Sequence, residues 1–267
     1  MKPSVLILGA RGSVPVNGEA FARYGGATAC FLVCLAGQPV VLDAGTGLLR
    51  LPAVPELDEQ ELPLLLSHPH IDHLLGLPMC PFVFDSAHQL SIYAAPHGGR
   101  SAAEQLSALM SPPLWPVTPE QLPAALTFRD LPEVLSLGPV TVETMEGAHP
   151  GGVTLMRLTG GGKRVVYLTD CTLTEALLPR LTDFARDCDL LLCDGQYAEA
   201  EWPARQHFGH NTWVAAARFG AACGAKAVRI IHHDPSRRDE ELDAAAAKLT
   251  AIHPACSFAR AGEEVIL

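Results

Sequence analysis

Three histidines and one aspartate lie close together, directly after an apolar run at residues 64–66. They are His68, His70, Asp72 and His73. Imidazole nitrogens and carboxylate oxygens are the ligands that Zn²⁺ and similar divalent ions take in proteins. In an extended segment residues i and i+2 point the same way, so His68 and His70 can converge on one ion. Asp72 and His73 follow in the turn, where they can face a second ion. Because burying these groups without a cation would leave polar atoms unpaired, we predict a metal site where a buried strand ends.

Apolar segments separated by glycine- and proline-rich turns indicate an α/β chain. Short apolar runs predict strands at residues 4–8, 29–35, 40–42, 64–66, 91–94, 140–145, 153–158, 164–168, 189–193, 227–231 and 265–267. Helical patterns cover residues 101–110, 213–223 and 239–251. Asn211 and Thr212 are suitable capping residues for the second of these helices. The order of these elements divides the chain into two halves, each with several strands followed by helix.

Length and charge limit the classes of function. The 267 residues suit one domain spanning 1–267, and a hydrophobic content of 48% is enough for a sizeable core. A net charge of -10 without clustered Lys or Arg argues against broad nucleic-acid binding. Since no stretch approaches the roughly 20 apolar residues of a membrane span, we expect no membrane binding and a cytoplasmic location.

The cysteines carry no zinc-finger pattern. The chain has eight of them and no C-x-x-C pair. We expect reduced core thiols, as is usual in cytosolic proteins. The alternative is metal ligation by Cys171, because it directly follows the strand-end residue Asp170.

Several motifs together resemble one family. The H-x-H-x-D-H run at residues 68–73 resembles the signature of the metallo-β-lactamase superfamily, whose members are mostly binuclear metallohydrolases. The G-x-x-G-S-x-P opening at residues 9–15 and the Gly209-His210-Asn211-Thr212 segment resemble its RNase Z-like and phosphodiesterase branches. The first of these motifs is also compatible with a plain tight turn. The resemblance extends from Gly9 to Pro235 and implies a four-layer αβ/βα sandwich of two mixed β-sheets flanked by helices.

The resemblance also implies a set of metal ligands. The ligands of the first ion would be His68, His70 and His149. The ligands of the second would be Asp72, His73 and His232, with His233 as the fallback for the last position. Asp170 would bridge the two ions. Two divalent ions are implied, with zinc favoured and manganese or iron also suited to these ligands. Asp43, after the strand at 40–42, either orients these ligands or caps a turn.

In such a centre, a hydroxide between the two metals is the expected nucleophile. Asp72 and His210 are the expected catalytic residues, with His210 as the general acid that protonates the leaving alkoxide. The implied activity is a metal-dependent phosphodiesterase acting on a small anionic molecule, such as a cyclic nucleotide. Processing of tRNA is disfavoured by the acidic balance and the lack of a basic arm.

Two other classes of function remain open. One is a lactonase or thioesterase that uses the same metals, and the other is a non-catalytic, metal-stabilised binding protein. The Trp- and Pro-bearing segment at residues 111–116 can form a substrate wall, a contact in a homodimer or ordinary packing.

Overall fold

The computed structural model describes residues 2–54, 57 and 61–267. Its strands are β1 (Ser4–Gly9), β2 (Cys30–Leu35), β3 (Gln38–Leu42), β4 (Glu61–Leu66), β5 (Gln89–Ala94), β6 (Ala125–Asp130), β7 (Val134–Leu137), β8 (Val140–Gly147), β9 (Val153–Gly160), β10 (Lys163–Leu168), β11 (Leu190–Asp194), β12 (Val228–Ile231), β13 (Cys256–Phe258) and β14 (Glu264–Ile266). The helices are α1 (Ala102–Leu109), α2 (Leu178–Ala185), α3 (Trp202–Arg205), α4 (Trp213–Ala222) and α5 (Asp239–Ile252). A short 3-10 helix at Ile71–His73 follows β4.

The strands form two seven-stranded sheets. One has the order β14-β1-β2-β3-β4-β5-β6, and the other has the order β13-β12-β11-β10-β9-β8-β7. Both are mixed: β3 to β6 run parallel in the first sheet and β10 to β13 in the second, while the remaining neighbours are antiparallel. In each parallel set the carboxyl ends of the strands meet at one edge, where their following loops can build a common site.

The run of leucines in β4 is buried on both of its faces. Leu65 packs in the apolar layer between the two sheets, together with Phe31 and Tyr167. Leu64 and Leu66 point the other way and pack with α1 and its neighbours. A strand that is covered on both faces does not alternate apolar with polar residues, which explains its continuous run of apolar residues. A third cluster fills the space between the second sheet and α4 and α5. The layers are therefore helix, sheet, sheet and helix, as predicted.

Several elements differ from the sequence prediction. The sequence pattern did not predict the strands β6, β7 and β13 or the helices α2 and α3. The side chains of β6 lie partly exposed, so they lack a strong apolar pattern. Thr212 caps α4 by accepting a hydrogen bond from the Ala215 N–H. Asn211 does not cap this helix, because its side chain bonds instead to the backbone of Leu173 and Cys171.

All eight cysteines are buried thiols, as predicted. Burial raises the pKa of Cys188 to about 12 and that of Cys171 to about 11. In the described part of the chain, no helix is both long and apolar enough to cross a bilayer.

Candidate metal centre

The predicted ligands meet where strands of both sheets end. His68 and His70 follow β4, and the 3-10 helix after them carries Asp72 and His73. The other three follow strands of the second sheet: His149 after β8, Asp170 after β10 and His232 after β12. All seven side chains belong to two overlapping groups whose ligand atoms lie within 4.8 Å of one another. The fold therefore brings together every metal-ligand position predicted from the sequence.

The first group consists of His68, His70 and His149. The distance from His70 Nδ1 is 2.9 Å to His68 Nε2 and 3.1 Å to His149 Nε2. Asp170 Oδ2 lies 3.7 Å from His68 Nε2 and 3.9 Å from His149 Nε2. Three ring nitrogens this close together cannot all carry hydrogens, so at least some of them present lone pairs to the same point. Such lone pairs are what a divalent cation accepts.

The second group consists of Asp72, His73 and His232. His232 Nε2 lies 3.1 Å from Asp72 Oδ2 and 3.2 Å from Asp170 Oδ2. His73 Nε2 lies 3.4 Å from Asp72 Oδ2 and 3.5 Å from Asp170 Oδ2. The same oxygen of Asp170 therefore approaches nitrogens of both groups, which is the position a bridging carboxylate needs.

In three of these rings the second nitrogen also has a hydrogen-bonding partner. Asp43 Oδ2 lies 2.6 Å from His73 Nδ1, and Ser67 Oγ lies 3.0 Å from His68 Nδ1. The Gly209 carbonyl lies 3.2 Å from His149 Nδ1. Such partners fix the tautomer and orientation of a metal-binding histidine.

Asp43 is the centre of this outer layer of contacts. Its carboxylate accepts hydrogen bonds from the Ser67 N–H at 2.7 Å, the Ser67 hydroxyl at 2.8 Å and the Tyr167 hydroxyl at 2.5 Å. The side chain is fully buried. Of the two roles left open by the sequence, these contacts favour ligand orientation over a simple turn cap.

The glycine-rich turn at residues 9–13 closes over the second group. The Ser13 N–H donates a 2.8 Å hydrogen bond to Asp72 Oδ2. A Cβ atom on Gly12 would lie 2.3 Å from His232 Nδ1, so only glycine lets the turn pass this ring. His232 itself has a positive φ of 61°, a conformation that costs a non-glycine residue about 1 kcal/mol or more. The turn thus positions both Asp72 and His232.

The electrostatics of the two groups differ. Burial lowers the pKa of His68 well below its usual value and also lowers the pKa of His70 and of His149. Against the effect of burial, Asp170 and Asp72 raise the pKa of His232 to about 9. Burial and the neighbouring carboxylates therefore shift the histidine pKa values of the two groups in opposite directions.

A divalent cation fits this set of donors. It would supply the positive charge that the buried carboxylates require, and it would occupy the lone pairs of the first group. Among the described residues, His73 Nε2 and His232 Nδ1 are buried without a hydrogen-bond partner. The Nε2 atom of His73 faces Asp72 and Asp170, where a cation would satisfy it.

The alternative ligands fit less well. His233 Nε2 contacts the Ala259 carbonyl at 2.9 Å, and the ring packs against Tyr24 and Phe258, away from the cluster. Burial and the nearby Arg11 lower the pKa of His233 to about 3. Cys171 Sγ accepts from the Ala148 N–H at 3.4 Å and belongs to none of the metal-type groups among the described residues. The structure thus brings His232, and not His233, together with Asp72, His73 and Asp170.

His210 lies beside the second group and is paired with an acid. Its Nδ1 is 2.7 Å from Asp194 Oδ2, and its ring stacks on that of His232 with centroids 4.7 Å apart. The Asn211 N–H donates to Asp194 Oδ1 at 2.8 Å, which fixes the carboxylate. The sequence prediction had not assigned a function to Asp194. Its only signal was an acid that ends an apolar strand.

A cavity of about 310 Å³ opens onto residues of both groups and onto His210. His70, His149, Asp72, Asp170, His232 and His210 contribute its polar wall, and Ser13, Ile71, Pro150 and Phe208 complete it. Ile71 and Phe208 are large, half-exposed apolar side chains. The cavity therefore gives a small polar group access to both histidine groups and to His210.

Comparison with known proteins places this site in a family. The family model for the beta-lactamase superfamily domain matches residues 39–233, a range that contains all seven predicted ligands and His210. The probable metallo-hydrolase YhfI of Bacillus subtilis is 26% identical over 255 residues, covering 88% of this chain and 91% of the relative. A ribonuclease Z of Bradyrhizobium diazoefficiens is 23% identical over 273 residues, covering 82% of this chain and 87% of the relative.

Solved structures agree on the fold. The crystal structure of YhfI, described as a metallo-beta-lactamase fold protein, superposes with a TM-score of 0.73 at 21% identity and covers 99% of both chains. A diphosphatase of the PhnP family superposes with a TM-score of 0.72 at 16% identity, covering 100% of this chain and 98% of the other. The chain therefore belongs to the beta-lactamase superfamily and has the metallo-beta-lactamase fold.

Proposed function

We propose that the protein is a metal-dependent hydrolase that cleaves a small phosphodiester, such as a cyclic nucleotide. The observation that carries this proposal is the position of Asp170 Oδ2, which lies within 3.9 Å of nitrogens from both the first and the second group. The names of the relatives point the same way, since a ribonuclease and a diphosphatase both act on phosphate bonds.

The seven ligand residues would hold two divalent ions, with zinc favoured. When bound, the ions would supply Lewis acidity and would lower the pKa of a coordinated water toward neutrality. The chain's own contribution is to set the geometry. Asp43 and Ser67 orient the rings of His73 and His68, and the Ser13 N–H fixes Asp72. The hydrogen bond from Ser13 thus keeps the Asp72 carboxylate in one orientation, in which it can act as a ligand.

His210 is suited to protonate the leaving oxygen. Because its Nδ1 contacts Asp194, its Nε2 is available to the cavity. The Asp194 carboxylate holds the ring in one orientation. In the reaction, water releases one proton to solvent and its oxygen bonds to phosphorus, while the phosphorus–oxygen bond to the leaving group breaks. His210 gives its proton to the departing alkoxide and regains one from solvent. General acids of this kind contribute about 10²–10⁴-fold in rate.

A small substrate suits the surface better than RNA. The net charge of -10 provides no broad cationic surface for a polyanion. The cavity of about 310 Å³ is at the lower end of the range for small-molecule sites. We therefore expect a phosphodiester whose charge is met locally by the bound ions.

A substrate panel tests the proposal. Purified protein with measured metal content would be assayed against bis-p-nitrophenyl phosphate, cyclic nucleotides, a lactone, a thioester and RNA. We expect turnover of the small phosphodiesters, and about a 100-fold lower kcat in His210→Ala with unchanged metal content. Asp170→Ala should lose both metal and activity. His207→Ala is the matched control, because His207 is exposed and lies outside the cavity. Turnover of only the lactone or thioester would contradict the phosphodiesterase assignment.

A further inference from the structure

Three residues that the proposed mechanism does not use form a cluster, and one of them reaches the cavity. Phe208 lines the cavity and is 50% exposed. It stands two positions before His210, the proposed proton donor, and both residues line the same cavity. A large apolar ring that is exposed beside a charged site offers a surface on which an apolar part of a ligand can pack.

An arginine completes this cluster. The Arg205 guanidinium carbon lies 5.5 Å from the ring centroid of Phe208 and 5.5 Å from that of Tyr197. Tyr197 is buried and makes an edge contact with His210, with centroids 5.9 Å apart. The Phe208 N–H donates to the Arg205 carbonyl at 3.0 Å, so backbone contacts also tie the two residues together.

The charge of Arg205 has no carboxylate partner in the part of the chain that the structure describes. Among the described residues no carboxylate forms an ion pair with it, whereas the nearby Arg237 is paired with both Glu201 and Glu241. Arg205 is exposed, and cation–π contacts with two rings hold its guanidinium plane beside Phe208. A guanidinium held in this way presents free N–H groups to an anion while Phe208 presents a flat apolar surface.

We propose that Tyr197, Arg205 and Phe208 form a leaving-group subsite for an aromatic group that carries a negative charge. This inference rests on the proposed function, because His210 defines which side is the leaving side. The aromatic part stacks on the exposed part of Phe208, and the anionic part receives hydrogen bonds from Arg205. Tyr197 is a positioning residue that supports both Arg205 and His210. This replaces the cyclic nucleotide, whose leaving oxygen belongs to a sugar, with a phosphodiester whose leaving alcohol carries an aromatic ring and a negative charge.

Two matched phosphodiesters test the subsite: methyl phenyl phosphate and methyl 4-carboxyphenyl phosphate. Both lose the aryl group, and they differ only in the charge of that group. We expect the wild-type protein to have the higher kcat/KM for the carboxyphenyl diester. Arg205→Gln should lower kcat/KM for that diester about five- to tenfold and leave the phenyl diester within about twofold. Phe208→Ala should lower kcat/KM for both diesters about fivefold.

Control variants separate recognition from folding. Arg218→Gln removes an exposed arginine of α4, and Phe84→Ala removes a phenylalanine that is 49% exposed; both lie outside the cavity. Neither should change the ratio of the two kcat/KM values. The thermal midpoint and metal content of every variant would be measured alongside.

The outcomes distinguish the two proposals. If Arg205→Gln changes both diesters equally, or neither, while the wild-type protein hydrolyses them, the subsite is wrong and the phosphodiesterase stands. If the wild-type protein with a full metal complement hydrolyses no phosphodiester, the proposed function is wrong and the subsite is overturned with it.

Discussion

The substitution Gly12→Ala should disable one half of the metal centre and spare the other. A methyl group at this position would lie 2.3 Å from Nδ1, 2.4 Å from Cε1 and 2.8 Å from Cγ of the His232 ring. Since optimal contacts between heavy atoms need about 3.5 Å, the ring or the turn must move by about 1 Å. The ring cannot move freely, because it stacks on the rings of His73 and His210 and its Nε2 is hydrogen-bonded to Asp72.

A shift of this size should be visible in metal binding and catalysis. We expect the second group to lose about 10–100-fold in affinity for zinc, as when the supporting contacts of a ligand are removed. Activity should fall about 100-fold, since misplacing a reacting group by about 1 Å has that effect. The first group does not contact Gly12 and should bind its ion as before. Titration of metal-free protein with zinc, in competition with a chromophoric chelator, would resolve the two affinities.

The control for this experiment is Gly160→Ala. A methyl group there would meet Val140 Cγ2 at 3.0 Å and Leu35 Cβ at 3.2 Å, at the far end of β9 from the site. It should lower the thermal midpoint modestly and leave both zinc affinities unchanged. The reasoning would be refuted if Gly12→Ala bound zinc with both wild-type affinities, because the ring of His232 would then tolerate a contact that the geometry forbids.

Three further predictions concern other parts of the structure. Asp43→Asn places an amide where one carboxylate oxygen accepts from Ser67, Tyr167 and His73, so zinc affinity should fall about 10–100-fold in the same titration. A wild-type affinity would contradict the orienting role. Against the effect of burial, Lys226 and the Arg164 N–H hold the pKa of Asp189 below its usual value. This stabilisation is present above the unfolded-state pKa of about 4 and is lost as the pH falls through the lower folded-state pKa. In urea unfolding, Asp189→Asn should therefore be about 1 kcal/mol less stable at pH 7 and equal to the wild type at the lowest pH; an equal deficit at every pH would contradict this. Burial raises the pKa of the Cys188 and Cys256 thiols to about 12, so a thiol reagent at pH 8 should react with them only after unfolding. Rapid reaction in the native state would show that they are accessible.

The sequence indicated which side chains meet at the site because they are concentrated and chemically distinctive. His68, His70, Asp72 and His73 form a local pattern, and His149, Asp170 and His232 each follow a strand in the order that the family resemblance implies. The four-layer architecture followed from the same resemblance. These predictions needed only residue type, spacing and order along the chain.

The supporting residues could not be predicted because their roles arise from distant contacts. Asp194 is separated by 16 positions from His210, and Tyr167 by 124 positions from Asp43. An acid or a tyrosine at a strand end is common, so its residue type gives no signal. Gly12 shows the same limit, since its need to be glycine depends on a ring that lies 220 positions further along the chain. The edge strands β6 and β7 were missed because partial exposure weakens their apolar pattern.

The central claim is that the first and second groups each hold a divalent ion. Anomalous X-ray scattering at the zinc edge, from crystals of zinc-loaded protein, tests it most directly. We expect two peaks about 3.5–4 Å apart, one against the first group and one against the second, with Asp170 between them. Zinc peaks found only elsewhere on the protein, with these seven side chains in contact with no ion, would contradict the account.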